Sequence, residues 1–439
     1  MKNKINIFIL TIISTFIFIM PSFAVSPENK ASTWAVDEII DANFSGIADN
    51  DFLKSIKNFK EPVSPEDLKH LEENTRKKLD FFNLEKNSLH KKTHHNYSSS
   101  RDNVLNNVYD IMGEYIPDIN NNRNNFLTNA NILRGNGSGM YFNDTASYEQ
   151  AILFFNRAVK YYYDINDIGG KGFLYSISKE NNKVYLYGSI HIGQNYIYPF
   201  NKTITDCFNS SDELFVEVNI MKNDNNSYID SKRYYSDGKS LKDAMDKNKY
   251  EKLVSILKKY NISEDKFKNL KPWAAYNFMT NLSTSVYMNN AYSLGVDRYF
   301  LTKAYFLNKP VKELENIKLQ TDILSAFSDE EYISLINNYV DYISLFGLKS
   351  LSSSSYNLIN AWYSGKESNL NKLIDKNDKY SRNLFDNRDI AMADTIEQLL
   401  NSNNNKIYFI VAGSAHFTPD DSIIAILKQR GYKINKIDL

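Results

Sequence analysis

Two strand-like runs of this chain end in the same tetrapeptide, Gly-Ser-x-His, and this repeat constrains the fold more than any other feature. The first run is "KVYLYGSIH" and ends at His191, and the second is "KIYFIVAGSAH" and ends at His416. Both are rich in aromatic and β-branched residues, which is typical of buried strands. Sites in open α/β sheets form beyond the carboxyl ends of the strands. If the two strands are neighbours, we therefore expect both imidazoles to meet at one edge of a sheet.

The order of predicted elements from residue 166 onward indicates an α/β domain that spans 166–439. A β-hairpin with "KENN" as its turn leads to the first histidine, and "ELFVEVNI" and "KPVKELE" are further predicted strands. Predicted helices occupy most of 237–330 and of 328–402. Strands that alternate with helices favour a mixed, largely parallel sheet core flanked by helices.

The first 165 residues predict an export signal and a mainly helical region. Lys2 and Lys4 precede an apolar run, and the small residues Ser22 and Ala24 follow it. This pattern predicts a signal peptide over 1–24, with an uncleaved membrane anchor as the alternative. We expect residues 25–165 to be mainly helical, with helices at 64–82 and 147–165 and a polar linker around 84–103.

Composition limits the partners and the compartment. The chain has 439 residues, and Lys+Arg and Asp+Glu are both 52, so no basic surface for nucleic acid is indicated. No segment after the signal peptide is apolar enough over its length to span a bilayer. We therefore expect an exported protein, periplasmic or secreted, without a stable membrane anchor after cleavage.

The single cysteine, Cys207, excludes an internal disulfide, and the oligomeric state stays open.

Carboxylates and one arginine are candidates to join the two histidines. Glu217 interrupts an apolar strand, and an unpaired buried carboxylate is costly, so it needs a histidine, a metal or a basic side chain as partner. Glu315 follows a shorter strand in the same way. Arg388, expected just before a helix, would orient Glu217, bind a substrate carboxylate or lie on the surface.

Two histidines and one carboxylate form a ligand set for a divalent metal that keeps one position open. The set of His191, Glu217 and His416 suits manganese, cobalt, zinc or iron and does not choose between them. Neither HExxH nor GxSxG occurs, so neither a helix-borne zinc protease nor a serine hydrolase elbow is indicated.

The same residues lie in a series of motifs that resembles the TraB/GumN family from about residue 170 to 439. In order, these motifs are "YLYGSIHIGQNYIYPF", "SSDELFVEVN", "LKPWAAY", "GVDRYFLTKAYFLNKPVKELENIKLQ", "NRDIAMADTIEQLL" and "VAGSAHFTPDDSIIAILKQRGYKI". The family includes pheromone-shutdown proteins and the Tiki metalloproteases.

The resemblance implies a metal-dependent protease site built from two Gly-x-x-His motifs and an acid, here His191, His416 and Glu217. The family's Leu-Glu and Arg-Asn positions fall on Glu315 and Arg388. The chain departs from the family where Asp389 replaces the usual asparagine, and where "PDDS" replaces a glycine-rich segment.

Three functions remain compatible with the sequence. The first is an exported metal-dependent hydrolase, a peptidase acting on peptides or proteins. The second is a metal-free His/Glu hydrolase similar to the erythromycin esterases, in which a histidine is the general base. The third is a protein that binds a peptide signal without cleaving it. Fold kinship alone does not choose between them.

Overall fold

The structure, a computed structural model, describes residues 31–82, 86, 97–117, 119, 122–135, 139, 141–222, 226–374, 379–418 and 420–439. The predicted signal peptide lies outside the described residues, and so does most of the predicted linker. Among the helices that the structure describes, none combines the length and the apolar character needed to cross a membrane.

The described part of the N-terminal region is helical, as predicted. Its helices are α1 (Thr33–Phe44), α2 (Asn50–Ser55), α3 (Pro65–Asp80), α4 (Arg101–Tyr115), α5 (Arg123–Asn129) and α6 (Tyr148–Ile165). Ser147 begins α6 with a capping box, in which its hydroxyl accepts from the Gln150 amide. The predicted linker is wrong at its end, because Ser100 caps α4 and residues 101–103 are already helical.

A six-stranded sheet forms the core of the second half, and it confirms the predicted fold class. Its strands are β1 (Phe173–Lys179), β2 (Asn182–Ser189), β3 (Glu213–Val216), β4 (Val311–Glu313), β5 (Ile407–Gly413) and β6 (Ile434–Lys436). Their order is β4-β3-β5-β2-β1-β6. The pairs from β4 to β2 are parallel, and β1 is antiparallel to both of its neighbours. The hairpin turn lies at "KENN", as predicted.

Helices surround this sheet and fill the long insertions between its strands. They are α7 (Lys202–Asn209), α8 (Asn226–Arg233), α9 (Leu241–Ala244), α10 (Lys247–Lys258), α11 (Pro272–Tyr287), α12 (Val296–Phe306), α13 (Ile317–Leu324), α14 (Asp329–Phe346), α15 (Lys349–Tyr363), α16 (Glu367–Asn371), α17 (Lys379–Leu400) and α18 (Ile423–Gln429).

The two Gly-Ser-x-His segments are hydrogen-bonded neighbours, because β2 pairs directly with β5. Ser189 is opposite Gly413 in this register. The Ser414 hydroxyl donates to the Ser189 carbonyl at 2.9 Å. A Cβ on Gly188 would lie 2.8 Å from the Ser414 Oγ, so only glycine allows the second motif to approach the first so closely. The repeated glycine and serine therefore fix how the two strand ends pack.

The carbonyl of Gly188 also accepts a hydrogen bond from a buried tryptophan. Trp362 in α15 is fully buried, and its Nε1 donates to this carbonyl at 2.7 Å. This contact joins the helical insertion to the first histidine motif.

We expect Trp362→Phe to lower the free energy of unfolding by about 2 kcal/mol or more, because a buried acceptor loses its donor and a cavity forms. Trp34→Phe is the matched control, since Trp34 is 57% exposed. Urea unfolding followed by circular dichroism measures both variants. Equal effects of the two substitutions would contradict the role of this contact.

Candidate active site

The carboxyl ends of four adjacent parallel strands place four predicted site residues together. His191 follows β2, and His416 ends the short 3-10 turn Ser414–His416 directly after β5. Glu217 follows β3 and Glu315 follows β4. The ladder continues past these two strands, since the Glu315 amide donates to the Glu217 carbonyl at 2.9 Å. All four side chains are buried.

Each histidine is held at Nδ1 by a buried aspartate. His191 Nδ1 lies 3.1 Å from Asp297 Oδ1, in the first turn of α12. His416 Nδ1 contacts Asp389 Oδ1, in α17. A proton on Nδ1 that is shared with a carboxylate fixes the ring and places the lone pair on Nε2. Both imidazoles are therefore held in the tautomer that has its proton on Nδ1.

Arg388 joins the two glutamates. Its Nε lies 2.7 Å from Glu315 Oε1, and its terminal nitrogen lies 2.8 Å from Glu315 Oε2 and 2.7 Å from Glu217 Oε2. Gln320 donates to Glu315 Oε2 at 3.2 Å. Arg388 is 2% exposed and lies inside α17, so the prediction that it precedes a helix is wrong.

The glycine of the second Gly-Ser-x-His motif, Gly413, hydrogen-bonds to Glu217 through its backbone amide. The Gly413 amide donates to Glu217 Oε1 at 2.6 Å. A Cβ at this position would lie 3.2 Å from that oxygen, a tight contact that glycine avoids. Glu217 is therefore hydrogen-bonded through both oxygens, and its carboxylate plane is fixed.

The charges around Glu217 keep it ionised. Burial alone would raise the pKa of Glu217, but His416, Arg388, His191 and the Gly413 amide lower that pKa to about 2. Burial would lower the pKa of His191, whereas Asp297 and Glu217 raise it, and the net shift is upward. The positive charge of His191 is thus favoured by its surroundings.

The structure brings all five predicted site residues into one histidine–carboxylate cluster. The cluster consists of His191, Glu217, Asp297, Glu315, Gln320, Arg388, Asp389 and His416. Sequence reasoning did not assign Asp297 or Asp389 to the site. For Asp297 the available signal was an acid in the first turn of the largely apolar segment "GVDRYF".

The cluster combines imidazole and carboxylate groups and has more carboxylates than basic side chains. Among its described side chains, four carboxylates lie against one guanidinium, so negative charge is in excess when both histidines are neutral. Glu217 Oε2 lies 3.9 Å from His416 Nε2. One cation between them could contact both atoms, because each metal–ligand bond is about 2.0–2.2 Å long. In the described part of the chain, however, no three His, Cys, Asp or Glu side chains already surround one point as ligands.

Fold and site together define an α/β protein with a buried histidine–carboxylate cluster at the carboxyl ends of parallel strands. The sequence profile of the TraB/PrgY/gumN family matches residues 173–436, and the chain belongs to this family. The family is part of a Tiki- and EreA-like superfamily that includes hydrolases. Comparisons with curated proteins and with solved structures gave no significant match.

We expect Arg388→Met to destabilise the fold by about 3–5 kcal/mol, because Glu217 and Glu315 lose their shared positive charge while buried. Adding Glu315→Gln to this variant should recover part of the loss. The control is Arg430→Met, which removes two surface ion pairs, with Asp394 and Glu397, each worth less than about 1 kcal/mol. Denaturant titrations compare the variants. Similar losses for Arg388→Met and Arg430→Met would contradict the assignment.

The lowered pKa of Glu217 predicts a pH-dependent contribution to stability. The ionised group stabilises the fold above its ordinary pKa of 4.5, and this contribution is lost as pH falls toward the folded-state pKa of about 2. The stability difference between the wild type and Glu217→Gln should therefore be largest above pH 4.5 and shrink below it. Unfolding titrations with a chelator present test this, with the exposed Glu61→Gln as control. A difference that grows on acidification would contradict it.

Proposed function

We propose that this protein is an exported, metal-dependent hydrolase of peptide or protein substrates. The observation that carries the proposal is the pair of buried histidines at neighbouring strand ends, each held at Nδ1 by an aspartate. Histidines that bind metals or transfer protons commonly have such a carboxylate behind the ring. The peptide substrate and the export rest on the family resemblance and on the predicted signal peptide.

Within this proposal, His191, His416 and Glu217 are the groups that would hold the metal. A bound divalent metal lowers the pKa of a water molecule and polarises a carbonyl group. Asp297 and Asp389 keep both rings in the tautomer that carries the lone pair on Nε2. The excess negative charge of the cluster further supports a cationic occupant, because buried charge has to be compensated.

Arg388 has the task of keeping Glu217 ionised and oriented, and Glu315 holds the guanidinium in place. The guanidinium contacts one oxygen of Glu217, and the Gly413 amide contacts the other. A carboxylate held in this way accepts a proton only at low pH, so it acts as a fixed negative charge. Such a charge stabilises positive charge that develops nearby, whether on a ligand, an imidazole or a substrate.

A metal-free hydrolase is the second candidate, and the environment of His191 favours it. Asp297 and Glu217 raise the pKa of this imidazole, which suits a group that accepts a proton. An imidazole backed by a carboxylate is also the arrangement of a general base. In that case His191 removes a proton from water, and Asp297 stabilises the imidazolium that forms.

The two candidates differ in metal content and in their response to a chelator. We expect about one equivalent of divalent metal in the purified mature protein, as measured by elemental analysis, and its loss in His191→Ala and His416→Ala. His70→Ala is the matched control, because His70 lies in α3 of the N-terminal region and pairs with Asp49. Hydrolysis of a peptide library should stop with the metal removed and return with manganese, cobalt or zinc.

Other outcomes would redirect the assignment. Peptide hydrolysis that persists without metal, yet is lost in His191→Ala, would overturn the metal-dependent function in favour of the second candidate. Saturable peptide binding without turnover, retained in both histidine variants, would contradict both enzymatic candidates and indicate a binding protein.

A further inference from the structure

A cavity lies between the N-terminal helical region and the α/β domain, and we call it the interdomain pocket. Its volume is about 150 Å³. The N-terminal region contributes Asn43, Asn50 and Asn74 to its walls, and the α/β domain contributes Asn195, Asn290 and Arg298. No residue of the histidine–carboxylate cluster lines it. The pocket is therefore a separate site, and the N-terminal region supplies part of it.

Arg298 is the feature that points to a ligand. It is 8% exposed, and its guanidinium makes no hydrogen bond or ion pair within the part of the chain that the structure describes. The one contact in which this residue takes part through a polar atom uses its backbone carbonyl, which accepts from Thr302. Burial lowers the pKa of Arg298 by more than the neighbouring Asp297 raises it, so the positive charge is only partly compensated. A guanidinium in this state in a cavity wall favours an anionic occupant.

The remaining wall limits the charge of that anion. Asp49 also lines the interdomain pocket, and its oxygens accept from His70 at 2.9 Å and from the amides of Asp51 and Phe52. One positive and one negative side chain disfavour a dianion such as phosphate. A carboxylate carries a single charge, and its two oxygens match the two parallel N–H groups of an arginine.

The size of the cavity limits the ligand further. A volume of about 150 Å³ admits several water-sized groups. This space holds a carboxylate with a few further atoms. The amide nitrogens of Asn43 and Asn74 each already donate to at least two protein acceptors, so the asparagine amides that can contact a ligand are those of Asn50, Asn195 and Asn290. Both a free small acid and the carboxyl terminus of a peptide meet these limits.

We propose that the interdomain pocket binds a small monocarboxylate through Arg298. The residue before it in α12, Asp297, contacts His191, so the two sites share the first turn of one helix. The proposal does not depend on whether the histidine–carboxylate cluster is catalytic.

Thermal unfolding of the full mature chain at constant ionic strength tests this proposal, with chloride replaced stepwise by acetate, N-acetylglycine or phosphate. We expect a saturable rise in Tm with the carboxylates and none with phosphate. Tighter saturation by N-acetylglycine would assign the pocket to a peptide carboxyl terminus, and tighter saturation by acetate to a free acid.

The variants separate a ligand site from a structural arginine. Arg298→Met should abolish the carboxylate-dependent rise while leaving the Tm without carboxylate unchanged or higher, because a buried charge that Asp297 compensates only in part is removed. Arg298→Lys keeps the charge but loses the paired N–H groups, so its apparent affinity should fall at least tenfold. Arg430→Met is the control and should behave as the wild type does.

Three results would overturn the proposal. One is an equal rise in the wild type and in Arg298→Met, which would indicate a general solute effect. Another is a rise with phosphate that exceeds the rise with acetate. The third is a Tm of Arg298→Met that is several degrees below that of the wild type without carboxylate, which would make Arg298 a structural residue.

Discussion

The contact of Arg388 with two glutamates is the interaction on which the candidate site depends. Glu217 and Glu315 follow adjacent parallel strands, so their carboxylates emerge side by side, and like charges so close are unstable alone when buried. A guanidinium contacts both at once, and α17 holds it above the sheet edge. The same helix carries Asp389, which contacts His416. Placement of one helix therefore sets the ionisation of Glu217 and the orientation of the second histidine.

The N-terminal region is connected to this arrangement through α12. Asp41 in α1 is buried and accepts from Tyr299 at 2.7 Å and from Lys303 at 3.0 Å, both of them in α12. Burial raises the pKa of Asp41, but Lys160 and Lys303 lower this pKa by more than burial raises it. The aspartate therefore stays charged. Because Asp297 belongs to the first turn of α12, the helix that anchors the N-terminal region also holds His191. The N-terminal helical region, which lies outside the family match, thus helps to hold the candidate site in place through α12.

Local sequence patterns predict where strands end and chains turn, but they do not predict contacts between residues that are far apart in the chain. Strand alternation and turn residues place His191, Glu217 and His416 at strand ends, because each position follows from a few neighbouring residues. The prediction that Arg388 precedes a helix was wrong, since helix starts are poorly marked when no capping residue stands out. The partner of His191, Asp297, is far away in sequence, and no local pattern relates the two. Their contact depends on where α12 packs against the sheet.

The motif resemblance to the family implies asparagine at position 389, where this chain has aspartate. An amide oxygen accepts the Nδ1 proton of His416 as well as a carboxylate does, so the tautomer of the ring does not require the aspartate. The carboxylate instead adds one negative charge to a buried cluster in which the carboxylates already outnumber the guanidinium of Arg388. Such a charge is tolerated only when a positive charge compensates it, either an imidazolium or a bound cation. An aspartate at this position therefore adds to the negative charge that an imidazolium or a bound cation has to compensate, and it holds His416 at the same ring nitrogen.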